Sequence, residues 1–163
     1  MPDNGKVFSI YTAVKAEGPM QPADAVRAVL GKGLEGDRYA SRSGTFSNQP
    51  GSGRDVTLIE IEAIEALQRD YGVDLSSGES RRNVITRGIA LNHLVGREFT
   101  VGEVTLRGIR LCEPCMHLER LTRPGVQKGL IHRGGLRTEI VAGGLIRVGD
   151  AIDDSTPGAG FNS

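Results

Sequence analysis

Glycine is the feature that most constrains this chain, because it accounts for 23 of the 163 residues. Glycine destabilises helix interiors and is favoured in turns. A chain that turns this often is expected to form many short strands rather than long helices. Its length suits one domain with its own core. We therefore expect a single domain over 1–163, with a core from about 10 to 152 and a frayed tail from 153 to 163.

Composition argues against several classes of function. The 20 basic residues balance the 20 acidic ones, and there is no tryptophan. The sequence therefore lacks the net charge that recruits nucleic acid or membrane, and it lacks a set of aromatic rings that could stack on bases. No apolar run is long enough to span a bilayer, and residues 1–5 do not resemble a signal peptide. Two cysteines without an export signal are expected to be cytoplasmic thiols.

One helix is predicted from the spacing of its apolar residues. Ile61, Ile64, Leu67 and Tyr71 recur at intervals of three and four, and Gly72 follows as a stop signal. The preceding residues 56–59 are predicted to form a buried strand. Residues 89–95 suggest a helical turn ended by Gly96.

Short strands are predicted along the rest of the chain. They cover 7–14, 83–86, 98–101, 104–111, 136–141 and 145–152, while 23–30 fits helix or strand. Gly102-Glu103 and Gly143-Gly144 are each predicted to close a hairpin. Residues 41–53 are predicted to be a surface loop, and 116–121 a short helix. About seven strands without regular strand–helix alternation favour a barrel or sandwich with peripheral helices over a doubly wound sheet.

The pair Cys112 and Cys115, separated by Glu113-Pro114, leaves several chemistries open. It suits a redox dithiol, although that motif belongs in a strand–helix alternation that this chain lacks. Structural zinc would need His117 and His132 to complete four ligands. A single thiolate could ligate a soft metal. Two buried thiols acting as small hydrophobic residues are about as plausible from the spacing alone.

Two groups of basic residues suggest an anion site. Arg81-Arg82-Asn83 precedes a predicted strand, and guanidinium groups match phosphate oxygens in pairs. Taken alone, adjacent arginines are more often solvated. The second group, 132–135, is His-Arg-Gly-Gly, whose glycines allow backbone N–H groups to approach an anion.

A third cluster spans 33–39 and reads Gly-Leu-Glu-Gly-Asp-Arg-Tyr. Its glycines allow a ligand to approach the backbone, and Asp37 could accept hydrogen bonds from ring N–H groups or orient an arginine. A plain turn in which Asp37 bonds its own backbone is at least as plausible. His93 is interpreted as structural.

These segments occur in an order that closely resembles a stand-alone MOSC domain, the module named after the C-terminal part of molybdenum cofactor sulfurases. The resemblance runs from about Ile10 to Ile152. The segments that carry it are Gly-Leu-Glu-Gly-Asp-Arg at 33–38, Val-Thr-Leu-Ile-Glu at 56–60, Arg-Arg-Asn-Val at 81–84, Leu-Val-Gly-Arg-Glu-Phe-Thr-Val-Gly at 94–102, Cys-Glu-Pro-Cys at 112–115 and Gly-Leu-Ile-Arg-Val-Gly-Asp at 144–150.

The resemblance implies a mainly β, Greek-key-like barrel (the MOSC fold) with a few peripheral helices. It also implies a bound molybdenum cofactor, molybdopterin, whose metal is ligated by the second cysteine, here Cys115. The family's cofactor-gripping residues fall on Arg81 and Asn83, whereas Arg82 stands where larger relatives such as the mitochondrial amidoxime-reducing component carry proline. The other candidate cofactor contacts come from the two glycine-containing clusters: Gly36, Asp37, Arg38, Arg133 and Gly134.

The function implied by the resemblance is reduction of N-hydroxylated small molecules, with an electron-donor protein as partner. The alternative is a carrier that holds sulfur on Cys115 as a persulfide, or that delivers the cofactor to or from a biosynthetic enzyme. The larger relatives have an additional N-terminal barrel domain. Without it the substrate pocket must be more open or be completed by a second chain, so a homo-oligomer is compatible with the sequence.

Overall fold

A computed structural model describes residues 5–13, 18–37, 55–75, 80–111 and 133–154 of the chain. Within these ranges the protein is mainly β, with eleven strands, one α-helix and a 3₁₀ helix at Leu91–Leu94. The strands are β1 Gly5–Thr12, β2 Gln21–Ala23, β3 Ala25–Val29, β4 Gly33–Leu34, β5 Val56–Glu60, β6 Val84–Arg87, β7 Glu98–Val101, β8 Val104–Leu111, β9 Leu136–Ala142, β10 Gly144–Arg147 and β11 Ala151–Asp153.

Seven strands close into a barrel in the order β11-β7-β8-β9-β5-β6-β1. Closure is made by the antiparallel pairing of β1 with β11, in which Gly5 lies opposite Ile152. The far end of β1 pairs with the edge strand β2, which contains Pro22. Proline is compatible with this position because an edge strand leaves N–H positions outside the ladder.

The only α-helix in the described ranges, α1 at Ile61–Tyr71, connects the parallel strands β5 and β6. Its apolar face packs on these two strands, where Ile64 and Leu67 join Ile59 and Ile85 in a second apolar cluster. Gly72 ends the helix in the left-handed conformation, at φ 67°, and its N–H donates to the carbonyl of Gln68. This is the C-terminal signal that the sequence predicted.

A separate sheet of three strands, in the order β10-β3-β4, shares the main core with the barrel. Val26, Leu34 and Ile146 from this sheet belong to the same buried cluster as Phe99 and Leu106 of the barrel. Burial of such side chains contributes roughly 1.5–3 kcal/mol each. The mainly β barrel, the helix at 61–71 and the strand pair β7–β8 are confirmed.

The predicted hairpin around Gly143-Gly144 is wrong. β9 pairs with β5 and β8, while β10 leaves the barrel and pairs with β3. The physical reason is close backbone approach: a Cβ on Gly143 would lie 2.6 Å from the carbonyl oxygen of Ala28, and Gly144 has φ 151°. The two glycines therefore allow the chain to cross between sheets, and the segment 145–152 is interrupted by Gly149 at φ 93°.

Smaller differences concern element ends. The ambiguous residues 23–30 contribute to β2 and β3, and the first strand begins at Gly5. Asp153, predicted to start the frayed tail, is the last residue of β11 and lies opposite Thr100. The predicted loop at 41–53, the helix at 116–121 and the tail beyond Asp154 lie outside the described residues.

Candidate functional site

Asn83 lies where three segments of the barrel meet, immediately before β6. Its backbone N–H donates to the carbonyl of Thr57 in β5, and its carbonyl accepts from the N–H of Tyr11 in β1. The residue is fully buried. Its position is therefore fixed by strand pairing on both sides.

The Asn83 side-chain amide uses its whole hydrogen-bonding capacity inside the protein. Its Oδ1 accepts from the backbone N–H and from Oγ1 of Thr57, both at 3.2 Å. Its Nδ2 donates to the carbonyl of Tyr11 at 3.1 Å and to Oδ1 of Asp37 at 3.3 Å. A primary amide offers two donors and two acceptor sites, so none is left for a ligand. Asn83 thus organises its surroundings rather than presenting a free amide.

Asp37 is joined to Asn83 from the turn that follows β4. It is 1% exposed, and its Oδ1 also accepts from the N–H of Ala13 at 3.0 Å. The preceding Gly36 has φ 83° and open space around the position of an added Cβ. The structure therefore brings Gly36, Asp37 and Asn83 together, with the Gly36 backbone accessible beside a buried polar network.

Arg81 has an unusual backbone conformation next to this network. Its φ of 59° makes it the one non-glycine residue with positive φ in the described ranges. Its Nη1 donates to the carbonyl of Gly18 at 2.7 Å, and the side chain is part-buried. Strained conformations of this kind cost about 1–3 kcal/mol and concentrate at functional sites.

Arg82 is buried and contacts backbone carbonyls. Its Nε donates to the carbonyl of Gly134 at 2.8 Å, and its Nη1 donates to that of Ser80 at 3.3 Å. The residue is 9% exposed. These bonds attach the Ser80–Asn83 segment to the chain entering β9, which gives Arg82 a structural task.

Arg133 lies in a different environment from Asn83. It lines a cleft of about 460 Å³ together with Glu60, Glu62, Arg69 and His93. Burial raises the pKa of the Glu60 carboxyl. The N–H of Leu91 lowers this pKa in part, whereas the negative charge of Glu62 raises it further. The nearby Arg133 and His93 also lower it. The predicted contact between Arg133 and a cofactor phosphate stays a prediction.

Nothing in the sequence predicted this cleft. Glu60 belongs to the segment 56–60 that carries the family resemblance, Glu62 lies in the predicted helix, and His93 is interpreted as structural. The structure leaves His93 exposed on the cleft wall. The available signal was Glu60-x-Glu62 at a helix start, which also suits ordinary stabilisation of the helix N-terminus.

Cys112, Cys115 and Arg38 lie outside the described residues, as do His117 and His132. The assignment of Cys115 as a metal ligand therefore stays a prediction. Among the described residues, no group of three or more His, Cys, Asp or Glu side chains is arranged to hold a metal ion. None of the described helices is long and apolar enough to cross a membrane.

Comparison with known proteins identifies the family. The model of the MOSC domain matches residues 45–153, more than half of the chain. The chain therefore belongs to the MOSC domain family, whose members are associated with binding of the molybdenum cofactor. No curated protein sequence matches the chain significantly.

Solved structures of similar fold come from several bacteria. YuaD protein from Bacillus subtilis has a TM-score of 0.76 at 17% identity, and the match covers 91% of this chain and 94% of that one. YiiM from Geobacillus stearothermophilus has a TM-score of 0.69 at 16% identity, over 96% of this chain and 77% of that one. YiiM from Escherichia coli gives 0.66 at 16%, over 96% and 70%. At these identities the likeness demonstrates a shared fold.

Proposed function

We propose that this MOSC domain binds the molybdenum cofactor and reduces N-hydroxylated small molecules, with Cys115 as the protein ligand of the metal. The observation that carries the proposal is the left-handed backbone of Arg81 beside the buried Asn83 network. Such strain persists only where surrounding structure or function maintains it. Membership of the MOSC family supplies the identity of the group that an arginine here would hold.

The described residues fit a group that carries a phosphate. Arg81 offers a part-buried guanidinium held by Gly18, and guanidinium binds phosphate oxygens through paired hydrogen bonds. The accessible backbone at Gly36 leaves room for close approach. Asn83 would not contact the cofactor itself. Its bonds to Asp37 and Thr57 would instead hold the residues around the cofactor in position.

The cofactor, when bound, supplies the redox chemistry, and the protein supplies binding and orientation. Reduction of an N-hydroxylated compound breaks the N–O bond, consumes two electrons and two protons, and releases the amine or amidine with water. The electrons require a separate electron-donor protein, which we propose as the partner of this chain. In this account Arg81 anchors the cofactor while Arg82 holds the neighbouring backbone.

The test is to purify the protein from a host that makes the cofactor and to measure molybdenum, pterin and reduction of a hydroxylamine or amidoxime with an artificial electron donor. We expect near-stoichiometric metal in the wild type and in Cys112→Ser. Cys115→Ser should lose activity. Metal-free, inactive wild-type protein from that host would contradict the proposal.

A carrier function makes a different prediction from the same preparation. A labile addition of one sulfur atom to Cys115 without bound pterin, seen by mass spectrometry, would favour a sulfur carrier. Bound cofactor without reductase activity would favour delivery of the cofactor to another enzyme. Equal damage from Cys112→Ser and Cys115→Ser would instead indicate a dithiol.

A further inference from the structure

The cleft beside Glu60 contains several charged groups, of which only Arg133 is a predicted contact of the cofactor. Its walls are the end of β5, the face of α1 from Glu62 to Arg69, the 3₁₀ helix and the residues that lead into β9. Two carboxylates and two guanidinium groups line it, from Glu60, Glu62, Arg69 and Arg133. Formal charges on these four side chains cancel, so the cleft matches a ligand that carries both signs better than a simple ion.

The carboxylates are held in place by one oxygen each. Oε2 of Glu60 accepts from the N–H of Leu91 at 3.1 Å, and Oε2 of Glu62 accepts from the N–H of Gly88 at 2.9 Å. The other oxygen of Glu62, Oε1, is buried and has no hydrogen-bond partner among the described residues. A buried carboxylate oxygen without a donor is unfavourable, so a ligand N–H would relieve that cost when the Glu62 side chain turns this oxygen towards the cleft.

The positive end of the cleft is provided by Arg133. Arg69 is engaged by Asp70, whose Oδ1 lies 2.9 Å from the arginine Nε. In the part of the chain that the structure describes, no carboxylate lies within ion-pair distance of Arg133. Arg133 can therefore accept an anionic group without breaking an ion pair described here.

The helix contributes one acidic and one basic side chain to the cleft, Glu62 and Arg69. Glu62, Ala66 and Arg69 follow one another at four and three residues, so they share a face of α1. Seven residues of α-helix span about 10 Å. Ala63 and Ala66 are small, which leaves space over this face for an aliphatic chain.

We propose that this cleft binds a small dipolar molecule, in which an ammonium or guanidinium group is joined through a short aliphatic chain to a carboxylate. The cation meets Glu60 and Glu62, and the carboxylate meets Arg133. An amino acid with its second charge at the end of a flexible chain has this chemistry. None of the residues that line the cleft belongs to the Asn83 network, and Arg133 is the one lining residue that is also a predicted contact of the cofactor.

Three probes of matched length test the proposal: 6-aminohexanoate, hexylamine and hexanoate. Binding is followed in the full chain by amide chemical shifts in NMR. We expect 6-aminohexanoate to bind with a dissociation constant below about 10 mM, as is reasonable for a ligand of this size. It should bind at least about tenfold more tightly than either single-charge probe, since each charged contact is worth about that factor.

Variants locate the site. Glu62→Gln keeps an oxygen to accept from Gly88, and Arg133→Gln changes an exposed side chain, so both are expected to fold. Each should weaken 6-aminohexanoate binding at least about tenfold. Arg107→Gln, which removes an exposed ion pair with Glu98, should leave it unchanged. Absence of saturable shifts, equal binding of hexylamine, or full affinity in Arg133→Gln would overturn the proposal.

Discussion

The Asn83 network and the cleft beside Glu60 differ in how completely their polar groups are hydrogen-bonded within the protein. Around Asn83 every hydrogen-bonding position of the side-chain amide is used within the protein. In the cleft, Glu62 has a buried oxygen without a partner among the described residues, and Arg133 is exposed. A saturated network provides rigidity, whereas we propose that the incompletely satisfied groups of the cleft accept a ligand. We also propose that the Asn83 region is the rigid frame of the cofactor site, with the part-buried Arg81 beside it.

The largest effect is expected from Asn83→Ala. The substitution removes four hydrogen bonds from a fully buried position and leaves groups of Thr57 and Asp37 without their donor or acceptor. We expect the free energy of unfolding to fall by about 3–5 kcal/mol. Urea denaturation monitored by circular dichroism measures it.

Asn92→Ala is the matched control in the cleft. Asn92 is exposed, so its loss should change stability by no more than about 0.5 kcal/mol. If both substitutions had the same small effect, the contrast between a saturated frame and an open cleft would be broken.

The next largest loss of stability is expected from Arg82→Met. This substitution keeps a long apolar side chain but removes the donors to the carbonyls of Gly134 and Ser80. Buried carbonyls left without these donors should cost about 2 kcal/mol. Arg107→Met removes an exposed ion pair with Glu98 and should cost less than about 1 kcal/mol. Equal losses in the two variants would show that Arg82 is not a structural residue.

Sequence patterns predicted the elements that depend on local signals. The helix at Ile61–Tyr71 follows from its apolar spacing and from Gly72, and the β7–β8 pair follows from Gly102-Glu103. Partners at long range were not predictable in this way. Gly143-Gly144 has the composition of a hairpin turn, but tertiary contact with Ala28 directs the chain into another sheet.

The candidate site was predicted as a set of residues but not as a network. Arg81 and Asn83 were singled out in one segment and Asp37 in another, yet nothing in the sequence reveals that the Asn83 amide bonds Thr57 and Asp37. Saturation depends on three strands meeting in space. The cleft was not predicted either, because Glu60, His93 and Arg133 are far apart in the chain and meet only in the folded protein.

A smaller change in stability is expected from Arg81→Gly. Glycine adopts positive φ without strain, which should recover about 1 kcal/mol, while loss of the bond to Gly18 should cost a similar amount. Net stability should stay within about 1 kcal/mol of the wild type. A loss as large as that of Asn83→Ala would mean that Arg81 is part of the frame.

The smallest expected effect is a dependence of the free energy of unfolding on pH that arises from Glu60. Burial raises its folded pKa above the unfolded value of about 4.3. Its contribution to stability is therefore complete below the unfolded pKa and is lost as pH rises through the folded pKa. Glu60→Gln should gain stability relative to the wild type as pH rises from acid to neutral, by less than about 1 kcal/mol because solvent screens this half-buried group.

Glu103 provides a control of opposite sign. The N–H of Leu145 lowers the pKa of Glu103, and the side chain of Arg147 acts in the same direction. Its stabilising contribution is present above the unfolded pKa and is lost as pH falls through the folded value. Glu103→Gln should therefore lose stability relative to the wild type as pH rises from acid to neutral. Parallel pH trends in the Glu60 and Glu103 variants would contradict these assignments.

The most direct test of the central claim compares Arg81→Gly with Arg107→Gln for molybdenum and pterin content after purification from a cofactor-producing host. Arg107 forms an exposed ion pair with Glu98 outside both the Asn83 network and the cleft, and neither substitution is expected to unfold the protein. The account predicts that Arg81→Gly loses the metal and pterin, whereas Arg107→Gln retains both at the wild-type level. Retention of both by Arg81→Gly would contradict it.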